Sequence, residues 1–118
     1  MPRAEDVRPV VIFHNPGCST SNKVLGLIRE RGIEPEVVRY AERGWTRASL
    51  GRVLDALALT PRDLLRTHSP EGRALREKDD AEILAAMLAD PTLVERPVVT
   101  SAKGAALCRP AERVLALL

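Results

Sequence analysis

Apolar residues occur first as an unbroken run, Val10-Val11-Ile12-Phe13, and next as a spaced set, Val24, Leu25, Leu27 and Ile28. The run predicts a buried strand over Arg8 to Phe13, and the spaced set predicts a helix over Ser19 to Arg31. Gly32 is a natural stop for that helix. Pro35 leads into Glu36-Val37-Val38-Arg39-Tyr40, which reads as a second strand. Strand, helix and strand in that order imply a parallel pair joined by a crossover.

Further along, Thr46 reads as the N-cap of a helix through Leu57, and Thr60-Pro61 opens another that holds Leu64 and Leu65. Pro70 to Lys78 is charged and reads as a loop or short helix. Asp80 is placed to cap a helix whose apolar positions are Ile83, Leu84, Met87 and Leu88. Arg96-Pro97-Val98-Val99-Thr100 predicts a third strand. Lys103-Gly104 supplies turn chemistry, and Ala105 to Cys108 returns as a fourth strand. Pro110 starts a last helix with Val114, Leu115 and Leu118 expected on one face. This order describes an α/β chain of the thioredoxin-like class. A four-stranded mixed sheet is flanked by helices, with a helical insertion of about residues 46–90 between the β-α-β and β-β-α halves. The expected organisation is one domain over residues 1–118.

Composition narrows the partners. The chain has 118 residues, 45% of them hydrophobic and 29% charged, as expected of a globular protein able to bury a core. A net charge of +2 and 3% aromatic residues give neither the basic surface nor the stacking platforms that nucleic acid needs. No apolar run approaches a membrane span. Met1 to Asp6 is polar and lacks the apolar core of a signal peptide, so the expected location is the cytoplasm.

The chemistry concentrates in His14-Asn15-Pro16-Gly17-Cys18-Ser19-Thr20-Ser21. Cys18 stands where the first strand ends and the first helix begins. Free backbone N–H groups and the helix dipole meet there, and both favour a thiolate. Cys18 is therefore the candidate nucleophile, the competing reading being an inert buried thiol. The N–H groups of Ser19, Thr20 and Ser21 are candidates to cradle an anion, and the Thr20 and Ser21 hydroxyls add donors. The two serines have capping as their plainer role. His14 either raises the thiolate content of Cys18 or hydrogen-bonds within the turn. In Cys18-x-x-Ser21 the serine cannot resolve a disulfide, so an intermediate on Cys18 needs a second thiol, from Cys108 or from outside. A cysteine-phosphatase loop requires an arginine after five intervening residues, and Val24 stands there. Two cysteines and two histidines at these spacings do not compose a zinc site.

Five segments, taken in order, resemble the glutaredoxin-coupled arsenate reductase (ArsC-like) family. They are His14-Asn15-Pro16 with Cys18 and Ser21; Gly32-x-x-Pro35; Leu64-Leu65-Arg66; Glu95-Arg96-Pro97-Val98-Val99; and Leu107-Cys108-Arg109-Pro110. The resemblance spans nearly the whole chain. It implies that Arg66, Arg96 and Arg109 bind the oxyanion, and the thioredoxin-like class implies a cis Arg96–Pro97 bond. It also implies a Cys18 attack on arsenate, with glutathione as co-substrate, glutaredoxin as reducing partner, and neither a bound cofactor nor a metal. Cys108 matches a family cysteine not generally required for catalysis, so packing is its expected role. The expected partners are thus arsenate or a similar oxyanion, glutathione and glutaredoxin, with no nucleic acid and no membrane, and the expected state is a monomer. The chain departs from the family where Gly-Thr-Ser-Arg usually follows the cysteine: here Ser19-Thr20-Ser21-Asn22 stands, with a positive charge one place later at Lys23. Two other functions fit the same fold. One is an Spx-type regulator that binds RNA polymerase, whose usual C-x-x-C switch Ser21 would break. The other is a thiol enzyme acting on a different substrate, such as a glutathione mixed disulfide.

Overall fold

A computed structural model describes residues 9–118. The polar stretch Met1 to Asp6, and Arg8 at the expected start of the first strand, lie outside the described residues. The described chain forms two compact units, one from the residues up to Arg39 together with Arg96–Leu118, the other from Tyr40–Glu95.

The first unit carries the sheet. Its strands are β1 (Val11–Phe13), β2 (Glu36–Val38), β3 (Val98–Ser101) and β4 (Gly104–Leu107), in the order β2-β1-β3-β4. β1 pairs parallel with β2 and antiparallel with β3, and β3 pairs antiparallel with β4. The mixed thioredoxin-like sheet is the class the sequence predicts. Helix α1 (Ser19–Glu30) follows β1 and ends at Gly32, whose φ of 75° is the left-handed geometry glycine adopts without strain. Ile12 and Val99 from the sheet, Val24 and Ile28 from α1, and Val114 from the last helix are fully buried in one core. Each such side chain contributes about 1.5–3 kcal/mol.

Strand register positions the functional ends. Phe13 lies opposite Val98, and Val98 lies opposite Leu107. The chain leaving β1, the chain entering β3 and the chain leaving β4 therefore share one edge of the sheet. Those three segments are His14–Cys18, Arg96-Pro97 and Cys108-Arg109. Two backbone bonds stitch this edge, His14 N–H to Val38 C=O at 2.8 Å and Cys108 N–H to Pro97 C=O at 2.9 Å.

The last helix differs from expectation. Ala111–Leu117 is a 3₁₀-helix, and its buried residues are Ala111, Val114 and Leu117. Their spacing of three matches the 3₁₀ repeat, in which side chains three apart eclipse one another. Leu115, expected on the buried face, is exposed.

The second unit is helical: α2 (Tyr40–Arg43), α3 (Arg47–Leu57), α4 (Pro61–Leu64), α5 (Pro70–Ala74), α6 (Asp80–Ala89) and a 3₁₀ turn at Pro91–Leu93. Thr46 and Thr60 cap α3 and α4, each closing a capping box. Tyr40 starts α2 rather than ending a strand; its ring stacks on Trp45 at 5.4 Å, and its hydroxyl donates to the Val94 carbonyl at 3.0 Å. The cap of α6 is Asp79, not Asp80, because the Asp79 carboxylate accepts the Glu82 N–H. Among the described residues no helix is long and apolar enough to cross a membrane.

Candidate active site

Cys18 is the N-cap of α1, and its side chain makes no capping bond. The first-turn N–H groups of Ser21 and Thr20 nevertheless act on the sulfur and favour its charged form. Cys18 is half-buried. Burial on its own raises the thiol pKa. The Ser21 N–H, a hydrogen bond from the Arg96 side chain, the Thr20 N–H and the Arg96 charge together outweigh burial, and the net shift is downward. Cys18 is thus biased toward the nucleophilic thiolate.

The arginine at the end of β4 completes the cluster. Arg109 Nη1 lies 4.0 Å from Cys18 Sγ and donates to the Arg96 carbonyl at 3.1 Å. That second bond pins the guanidinium beside the sulfur. Both the Arg96–Pro97 and the Arg109–Pro110 bonds are cis. One cysteine sulfur, two guanidinium groups and two backbone N–H groups thus converge at one edge of the sheet. Positive groups around a nucleophilic sulfur suit an electrophile that arrives as an oxyanion.

The loop before α1 is braced from within. Asn15 Oδ1 accepts the Gly17 N–H at 2.8 Å, and the Asn15 carbonyl accepts the Cys18 N–H at 3.0 Å. Ser21 Oγ accepts the Asn15 N–H at 3.1 Å and shares a 2.6 Å hydrogen bond with His14 Nδ1. His14 and Ser21 are both buried. Burial, then the charges of Arg39 and Arg29, lower the His14 pKa, so the ring is neutral at pH 7. His14 holds the turn.

Two sequence readings change here. Neither Ser19 nor Ser21 caps α1, since Cys18 occupies the cap, and Ser19 is exposed. The Ser21 hydroxyl is turned into the protein toward His14, so only the Ser21 backbone N–H faces the sulfur. The signal was present in the chain: Ser21, Val24 and Ile28 are three and four apart and share one buried stripe. Asn22 is a support that the sequence pattern does not signal: its side-chain amide donates to the Pro16 carbonyl at 3.0 Å and fastens the loop to the helix.

Residues 13–117 match the ArsC family profile. The chain belongs to the ArsC family. Among curated ArsC relatives, an arsenate reductase of Synechocystis sp. is 46% identical over 92% of this chain and 81% of its own length. The arsenate reductase of Escherichia coli strain K12 is 36% identical over 92% of this chain and 80% of its own. Among solved structures, the arsenate reductase from Vibrio cholerae superimposes with a TM-score of 0.86 at 35% identity. It covers 95% of this chain and 99% of its own.

The remaining residues of the ArsC pattern have separate settings. Arg66 belongs to the second unit. Its N–H donates to the Leu93 carbonyl at 2.8 Å, and its Nη1 lies 3.4 Å from Glu95 Oε1. Gly72 packs so tightly under it that a Cβ there would stand 1.8 Å from the Arg66 carbonyl oxygen. Cys108 is buried in the core of the first unit, and burial pushes its thiol up to about 11, against a smaller lowering from Arg113. An un-ionised core thiol is suited to packing and not to attack. Among the described residues, no three or more His, Cys, Asp or Glu side chains are clustered to hold a metal ion.

Proposed function

We propose that this chain is an arsenate reductase, with Cys18 as nucleophile, a small thiol, glutathione, as reductant, and glutaredoxin reducing the mixed disulfide that forms on Cys18. The observation that carries the reading is the convergence of Arg96 and Arg109 on a cysteine whose pKa is already lowered. Arginine forks match the oxygens of a tetrahedral oxyanion, and a thiolate is the soft nucleophile that attacks arsenic. The family pattern gives Arg66 a share in the same oxyanion.

The chemistry balances without a bound cofactor. Cys18 Sγ attacks arsenic, one arsenate oxygen leaves as water, and a sulfur–arsenic bond forms. The arginines offset the charge on the remaining oxygens as that bond forms. A glutathione thiolate then attacks Cys18 Sγ. The sulfur–arsenic bond breaks with its electron pair on arsenic, which departs as arsenite, and Cys18 is left in a mixed disulfide. A glutaredoxin thiol takes the glutathione and returns Cys18. Ser21 cannot resolve the disulfide itself, which is why an outside thiol is required. The reaction is placed in the cytoplasm, where thiols are kept reduced, and a single chain is sufficient for it.

The test is arsenate-dependent NADPH oxidation in two coupled systems. One contains glutathione, glutathione reductase and glutaredoxin; the other contains thioredoxin and its reductase. Turnover with the first and little with the second supports the reading. Turnover only with thioredoxin overturns the donor assignment, and turnover with neither overturns the activity.

A further inference from the structure

A groove of about 380 Å³ opens beside Cys18, lined by Thr20, Lys23, Arg109, Pro110, Ala111 and Glu112. That volume falls within the roughly 300–1,000 Å³ of small-ligand sites. Two of its walls already belong to the reacting centre, because the Thr20 N–H faces the Cys18 sulfur and Arg109 Nη1 lies 4.0 Å from it. The far end has a different character. Lys23 stands one helical turn beyond Thr20, and its ammonium meets the Glu112 carboxylate at 2.7 Å, with more than half of each side chain exposed.

We propose that this groove seats the reducing thiol, and that the Lys23–Glu112 pair selects a small thiol bearing an α-amino-acid zwitterion at its far end. The proposal deepens the arsenate reductase reading and rests on it for the identity of the attacking group. An exposed ion pair contributes little to stability, so exchanging it for a ligand costs little. Once opened, the pair presents a cation and an anion a few ångströms apart. This is the complement of an ammonium and a carboxylate carried on one carbon. Pro110 and Ala111 add apolar lining to the same groove. The γ-glutamyl end of glutathione carries such a zwitterion, and its cysteine lies one peptide-like link away.

The experiment titrates S-methylglutathione, which cannot react, into ¹⁵N-labelled protein, and separately measures the KM for glutathione. The proposal expects amide shifts at Thr20, Lys23 and Glu112. It also expects Lys23→Glu and Glu112→Lys each to weaken binding and raise the glutathione KM about fivefold, leaving the KM for arsenate unchanged. S-methylcysteinylglycine, which lacks the γ-glutamyl zwitterion, should bind all three proteins alike. Shifts elsewhere, or charge variants that bind and turn over like the parent, would overturn the groove assignment. The two readings fail separately. A protein that binds S-methylglutathione in the groove but does not reduce arsenate refutes the activity and keeps the subsite. A protein that reduces arsenate equally well in all three forms does the reverse.

Discussion

Replacing Gly72 by alanine inserts a Cβ 1.8 Å from the Arg66 carbonyl oxygen and 2.9 Å from its carbonyl carbon. Real Cβ contacts essentially never fall below 3.0 Å, so the backbone at Arg66 or at α5 must give by more than 1 Å. The obstacle is main chain, and a side-chain rotation cannot relieve it. Overpacking of this kind costs about 1–3 kcal/mol, from which a helical Gly→Ala change recovers at most about 1 kcal/mol. Gly51, inside α3, has open space around its Cβ direction and serves as the control. Gly51→Ala should therefore stabilise by about 0.5–1 kcal/mol, while Gly72→Ala should destabilise by up to about 2 kcal/mol and lower Tm by up to roughly 8 °C. Urea denaturation with both variants reads the difference. In the role proposed for Arg66, a 1 Å displacement also lowers kcat/KM for arsenate by about 10²-fold. A Gly72→Ala protein as stable as Gly51→Ala would refute the close approach and the positioning of Arg66 derived from it.

The other predictions concern charge and reactivity. Arg96→Met removes the hydrogen bond and the charge that lower the Cys18 pKa, so the ascending limb of the kcat/KM–pH profile should move to higher pH. A limb that does not move contradicts the assignment. His14 titrates below its ordinary value of 6.5 in the folded chain, so the folded state resists protonation. The stability this contributes is complete above pH 6.5 and is lost as pH falls through the lowered folded value. Urea midpoints measured downward from pH 7 should show that loss, and His14→Gln should flatten it. Iodoacetamide at pH 7 should label Cys18 and spare Cys108, whose thiol is raised to about 11. Cys108→Ala should retain turnover, whereas labelling of Cys108 in the native protein would contradict its burial.

Much of the fold was legible because its elements are set by local chemistry. The run Val10 to Phe13, the glycine stop at Gly32, and the Thr46 and Thr60-Pro61 caps each act within a few residues and appear where expected. The differences arise where two local rules compete. Asp79 and Asp80 are both competent caps, and only backbone placement decides between them. The end of α3 is no such difference: it falls at Leu57 as expected, with Ala58 in the left-handed region at φ 55° where glycine more often stands. The last helix has apolar residues at spacings of both three and four, and packing against α1 and the sheet selects the 3₁₀ repeat. At the site, Cys18 is recognisable from its strand–helix junction. Arg96 and Arg109 are not separable from the other arginines by composition. Strand register brings them to the cysteine, and in the sequence only the family resemblance carries that information. The inward turn of Ser21 follows from helical periodicity, which the C-x-x-S spacing obscures.

The most direct test is a single-turnover reaction of the protein with arsenate and glutathione, quantifying arsenite while intact mass follows Cys18. The account predicts one arsenite released for each Cys18 that gains a glutathione adduct, and neither product from Cys18→Ser. Arsenite formed by Cys18→Ser, or a folded parent protein that forms none, would contradict it.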